Sequence, residues 1–279
     1  MLGSHFFDLV PIWVLFVGTI LLMVLFIELG FWMGKKAQVN AKKAQTSQVR
    51  AIMGAGLGLL AFMLAFTFST AQSHFEARVQ NLAEEARIAR NAFMQADMMP
   101  EPERTEAKQL LADYIELRSI GKLNDAGGGE EELAKGLSIS EKIQKDLWIL
   151  AVVVDGRDSK KNVSNEKSNM LRTSVLALTD IHYTRLHAAV MNRIPLTIWM
   201  TLYLMAALAM IIMGYQAGLT DRRSPVATIT LAVAFSAVII LISDLDRPVM
   251  SFFKINNQLL VELNDDMQAD LKLEYYPGD

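Results

Sequence analysis

Four long stretches almost free of charge constrain this chain more than any other feature. They run from about 9 to 33, 51 to 71, 195 to 214 and 226 to 242 of 279 residues. At about 1.5 Å per residue, helices of these lengths can cross a hydrocarbon layer of roughly 30 Å. Lipid offers the backbone no hydrogen-bond partners, so such stretches must satisfy their amides within their own segment, which predicts helices. The expected fold class is therefore all-α: a polytopic membrane protein with four transmembrane helices and an extramembrane helical bundle between spans two and three. The divisions that follow are 1–71 (with a basic linker at 34–50), 72–193, 194–243 and a tail at 244–279. With 52% hydrophobic residues the chain is no disordered segment, and a net charge of -3 offers no basic field for nucleic acid. The absence of cysteine removes disulfides and thiolate chemistry.

Charge distribution predicts orientation, because short loops rich in Lys and Arg stay in the cytoplasm. The 34–50 linker carries Lys35, Lys36, Lys42, Lys43 and Arg50 with no acid, and 215–225 carries Arg222 and Arg223 against Asp221. Both are expected to be cytoplasmic. The N-terminus, the 72–193 segment and the tail, which has eight acids against three bases, then face the periplasm across a bacterial inner membrane. No base precedes Lys35, so the first span lacks the basic start of a cleavable signal peptide and is expected to be retained.

Helix formers run without Gly or Pro from Gln72 to Asp97, so the second span is expected to continue as one helix to Pro100. Pro100 and Pro102 mark a turn and a new helix to about Ile120, and 121–129 reads as a glycine-rich loop. Ser138 and Glu141 form a capping-box pattern predicting a helix start, with a turn at 155–161 and a last helix from about Ser164.

Several blocks, in order and spacing, resemble the bacterial bestrophin-like family. They are Gly58 to Ser69 (GLLAFMLAFTFS), Ala71, Phe75-Glu76 with Arg78, Glu84-Glu85-Ala86, Ala96-Asp97, Pro100-Glu101-Pro102, Arg193-Ile194-Pro195, Gly214-Tyr215-Gln216 with Gly218, Leu245-Asp246-Arg247-Pro248, and Glu28 with Gly30. Bestrophins are ring-shaped oligomeric channels, chiefly for anions, with four spans per subunit and a long second helix lining the pore. The resemblance implies that architecture here, although the basic first linker points to an orientation opposite to theirs.

On the second helix Phe62, Phe66, Ser69, Ser73, Glu76, Gln80, Glu84, Arg87 and Asn91 recur at spacings of three or four and so share one face. In a ring of subunits Phe62 and Phe66 would form a constriction that gates by dewetting, and Ser69, Ser73, Glu76, Gln80 and Glu84 the hydrated mouth. The other reading is an ordinary core pair and a solvated face. Gly54 and Gly58, like Gly30 and Gly34, have the spacing of close helix packing; no phosphate-loop Lys follows them. Glu28 is the acid well inside a span, serving either ion handling or a structural bond. Asp244 and Asp246 offer oxygen ligands for a cation, or Asp246 caps a helix while Arg247 pairs with an acid. His182 and His187 lie five apart and do not share a face, so no metal site is expected there.

No pattern for nucleophilic, metal-assisted or nucleotide-dependent catalysis occurs, and no cofactor is expected. The expected function is a homo-oligomeric inner-membrane ion channel or pore, its partners being further copies of itself, the lipid bilayer and small inorganic ions. The alternative is a non-conducting scaffold or envelope-stress sensor that binds a partner through its helical ectodomain.

Overall fold

The computed structural model describes residues 10–38, 43–119, 130–157, 162–190, 193–220, 224–247 and 257–275. Among them the chain is all helical: α1 (Ile12–Ala37), α2 (Lys43–Ala96), α3 (Glu103–Ser119), α4 (Glu130–Arg157), α5 (Asn162–Val190), α6 (Leu196–Thr220), α7 (Pro225–Asp246) and α8 (Gln258–Tyr275). The helices α1, α2, α6 and α7 are long and apolar enough to span a membrane. Prolines open α3, α6 and α7. Arg104 and Glu106 donate to the Pro100 and Pro102 carbonyls, Ile198 donates to Pro195, and Pro225 stands in the first turn of α7, where its missing N–H costs nothing.

The chain divides into two compact units, one of residues 1–75 and 192–247, the other of 76–191 and 248–279. In the first, α1 packs along α6 through glycines on both helices. A Cβ at Gly30 or Gly34 would overlap the backbone of Ile211 or Tyr215, and one at Gly214 or Gly218 that of Ile27 or Phe31. This reciprocal small-residue spacing lets two backbones approach where lipid supplies no hydrophobic drive. The remaining core comprises Met23, Leu60, Leu64, Trp199, Leu202, Met210, Ile239 and Ile242.

In the second unit α4 packs on α3 and α5, and α8 on α3. Leu82, Ala86, Ala89, Ala92 and Ala96 form the buried face of α2, and their small volume admits Leu111, Ile115, Leu147, Leu171 and Leu178 from the neighbouring helices. The 54 residues of α2 make a rod of about 80 Å, somewhat longer than expected because the helix already begins in the basic linker.

Two expectations are corrected. Ser138 does not cap a helix: it lies inside α4, where its hydroxyl donates to the Lys135 carbonyl at 2.8 Å. That back-bond satisfies a mid-helix serine locally, so the capping-box spacing has no terminus to serve. Residues 258–275, expected as an acidic tail, form a helix, because Leu260, Leu263 and Met267 recur on one face and are buried. The expected loop at 121–129 lies outside the described residues, as do 158–161 of the expected turn, whose first part continues α4 to Arg157.

Candidate functional site

The nine stripe residues of α2 all stand on the side that the chain's own helices leave uncovered. Phe62 is 65% and Phe66 59% exposed. Ser69, Ser73, Glu76, Gln80, Arg87 and Asn91 are exposed as well, and Glu84 is partly so. The opposite face carries Leu60, Leu64, Thr67 and Ala71, and further on Leu82, Glu85, Ala86 and Ala89, all buried. Two hydroxyls beside the stripe are spent on the helix itself, Thr67 donating to the Met63 carbonyl at 2.7 Å and Thr70 to Phe66 at 3.1 Å.

Charge along the stripe is uneven. Arg87 Nε donates to Glu84 at 2.8 Å, and this hydrogen bond holds the Glu84 carboxyl below the usual carboxylate range while raising the Arg87 guanidinium. Glu84 and Arg87 therefore largely cancel.

Other sequence-predicted residues fall differently. Within one chain, a Cβ at Gly54 or Gly58 would meet nothing within 4 Å, so the close packing expected of them is not made by this chain's own helices; Gly30, Gly34, Gly214 and Gly218 make it instead. Glu28 stands on the exposed face of α1, one turn before Trp32, over whose ring Lys36 places its ammonium at 3.3 Å. Asp246 accepts from the Ile194 backbone N–H at 2.9 Å, and Arg247 donates to the Val10 carbonyl at 3.0 Å, so together they join the ends of α1, α6 and α7. This is a structural clasp of the capping kind, although Asp246 serves the helix before its own rather than the one after. Among the described residues no three His, Asp or Glu side chains gather as metal ligands.

The second unit contains a polar centre that the sequence reading did not assemble. Glu85, 0% exposed, accepts from the Tyr114 hydroxyl at 2.5 Å and from Arg118 Nη2 at 3.2 Å. Arg118 Nε lies 3.1 Å from the same carboxylate, and Arg185 Nη1 pairs with it as well. His182 is fully buried beside them. Burial, assisted by the Arg118 charge, lowers the His182 imidazole to about 4, and burial lowers the Arg185 guanidinium to about 10. Burial raises the Tyr114 phenol, opposed by Arg118 and by the Gln144 side chain. The sequence held a signal for this centre. Glu85 sits three residues after Leu82 and four before Ala89, Arg118 three after Ile115, and Arg185 seven after Leu178, so each is a charge on an otherwise apolar helix face.

A family model described as a bestrophin-like domain matches residues 21–258. No curated protein and no solved structure matches the chain. The match covers most of the sequence, from within α1 to the start of α8, and together with the four apolar helices it shows that this membrane protein belongs to the bestrophin-like family.

Proposed function

We propose that the protein is a homo-oligomeric ion channel or pore of the inner membrane, in which α2 of each copy lines the conduction path. The observation that carries this reading is the uncovered stripe. An aromatic pair at span depth and a polar continuation stand exposed on the same face of one helix. A ring of copies covers such a face and gives it a function: Phe62 and Phe66 narrow the path, and Ser69, Ser73, Glu76 and Gln80 line its hydrated part. Gly54 and Gly58, also open in the single chain, then admit a neighbouring copy. Ion flux into liposomes containing the purified protein tests the reading; a well-folded oligomer that passes no ions would overturn it.

The proposed orientation places residues 72–193 in the periplasm and the 34–50 linker in the cytoplasm. The cysteine-free sequence makes this directly testable. A Cys introduced at exposed Ser138 is expected to react with an impermeant maleimide in intact spheroplasts, and one at exposed Ser47 only after lysis.

A second reading, a non-conducting scaffold or sensor, draws on the exposed Ile149, Val152, Leu176 and Tyr183 of α4 and α5. In that case the ectodomain surface, not the α2 stripe, takes the partner.

A further inference from the structure

We propose that a groove between α2 and α7 binds one acyl chain of a phospholipid, lying along the two helices as a resident ligand. The inference needs only that the four apolar helices cross a membrane, and it is independent of conduction.

The groove holds about 470 Å³, and all nine side chains that line it are Ala, Leu, Val or Phe. Ala61, Ala65 and Ala234 open it by their small volume, while Phe68 and Phe235 border it and pack against the core of the first unit. An apolar space of this kind stays dry and takes apolar guests, because water finds no hydrogen-bond partner there. The volume is about three times the roughly 150 Å³ that admits one benzene ring, which leaves room for a chain of on the order of eighteen carbons.

Its direction fits a chain as well. The lining residues of each helix recur at spacings of three and four, from Ala61 to Phe68 on α2 and from Leu231 to Leu241 on α7, so the groove follows the helix axes. It extends over about 10 Å of α2 and about 15 Å of α7, close to half of a hydrocarbon layer of roughly 30 Å. Phe68 and Leu241 stand near the C-terminal ends of the apolar stretches 51–71 and 226–242. Four successive crossings alternate in direction, so α2 and α7 run the same way and these ends reach one face of the membrane. A chain entering from the lipid headgroups of that face would fill the groove down to the middle of the bilayer.

A second copy of the chain fits less well. Nine side chains fall far short of the 20–30 a side of a stable protein interface, and none can donate or accept a hydrogen bond across it. Phe62 and Phe66 each stand about 100° around α2 from Ala61 and Ala65, so the groove is not the face that the proposed path uses.

Full-length protein in phospholipid nanodiscs tests this by cryo-EM, and native mass spectrometry after transfer to detergent counts the lipid retained by each subunit. The expected map shows one unbranched, chain-shaped density against Ala65 and Ala234, and the expected count is one phospholipid per subunit. Ala65→Trp and Ala234→Trp fill the groove and should lower retention by at least about tenfold, a loss of about 1.4 kcal/mol. Leu29→Trp, on the exposed face of α1 away from the groove, should leave retention unchanged. The proposal fails if a helix of a neighbouring copy lies in the groove, if the map shows no chain there, or if the groove variants retain as much lipid as the unaltered protein. It fails equally if Leu29→Trp loses as much lipid as they do. Should the groove variants not fold, the map of the unaltered protein decides: chain density along Ala65 and Ala234 supports the proposal, and its absence overturns it.

Discussion

Tyr114 on α3 donates its hydroxyl proton to Glu85 on α2 at 2.5 Å, and both side chains are completely buried. The pair fixes the level at which α3 meets the rod, because a carboxylate inside a helical bundle tolerates only the register that brings its donors to it.

Removing one partner therefore costs more than the bond itself contributes. Tyr114→Phe is expected to lower stability by about 1–3 kcal/mol, since it strips a donor from a buried carboxylate. Glu85→Ala should cost about 3–5 kcal/mol, because it leaves Arg118 and Arg185 buried without a counter-charge. Chemical denaturation in micelles checks the order. A smaller loss for Glu85→Ala than for Tyr114→Phe would contradict the assigned charges.

His182 adds a pH dependence with a definite sign. Its imidazole falls from an ordinary 6.5 to about 4 on folding, so between those values the unfolded chain binds the extra proton. Stability attributable to this group is complete above pH 6.5 and is lost as pH falls towards about 4. Burial is the main cause, and the nearby Arg118 charge opposes protonation as well. The expected slope is on the order of 1 kcal/mol per pH unit between these limits, and His182→Gln should flatten it. Thermal melts across this range in both proteins give the comparison.

Lys108 fastens the C-terminal helix. Its ammonium, nearly inaccessible, bridges Asp97 at 2.6 Å and Asp270 at 2.8 Å, and lies 5.0 Å from the Phe93 ring. Both carboxylates are half exposed, so the pairing is worth only on the order of 1 kcal/mol. Asp270→Asn should raise hydrogen exchange within 258–275 by roughly fivefold and leave the α1–α6 pair unaffected. Equal acceleration everywhere would show that α8 is no separate unit of stability.

The glycines of the spans separate two roles that sequence spacing cannot. Gly30→Val places a side chain into the Ile211 backbone and should cost more than the roughly 1–3 kcal/mol of ordinary overpacking, because backbone cannot move aside. Gly54→Ala meets nothing within 4 Å in its own chain and should leave the fold of one copy intact. Blue-native electrophoresis of the two variants distinguishes misfolding in the first from altered assembly in the second.

The legible parts of this protein were those set by local periodicity. Apolar length alone revealed α1, α2, α6 and α7, and the unbroken helix formers after Gln72 revealed that α2 outruns the lipid. The i, i+4 glycines gave α1 its packing face at Gly30 and Gly34, but Gly54 and Gly58 have the same spacing with no partner in the chain, since spacing does not say which helix arrives. Ser138 misled because a capping pattern is local while the decision to extend α4 is cooperative over its turns. The Glu85 centre escaped assembly because its members come from α2, α3 and α5, and only the tertiary fold brings those helices together.

Phe62 and Phe66 offer the most direct discrimination of function. Both rings are uncovered in the single chain, so truncating them should leave the fold of one copy nearly unchanged; their loss matters only where copies meet. If the rings close a conduction path by dewetting, Phe62→Ala and Phe66→Ala widen and wet it, and unitary flux in liposomes should increase by several-fold or more. If they merely contact lipid, flux is unaltered. Glu76 refines the test, because it is the stripe carboxylate next after the span. Glu76→Gln should shift the reversal potential under a salt gradient towards the anion, as expected when a ring of carboxylates that concentrates cations is removed. An unchanged reversal potential in a conducting variant would place Glu76 off the path and leave the aromatic pair to stand alone.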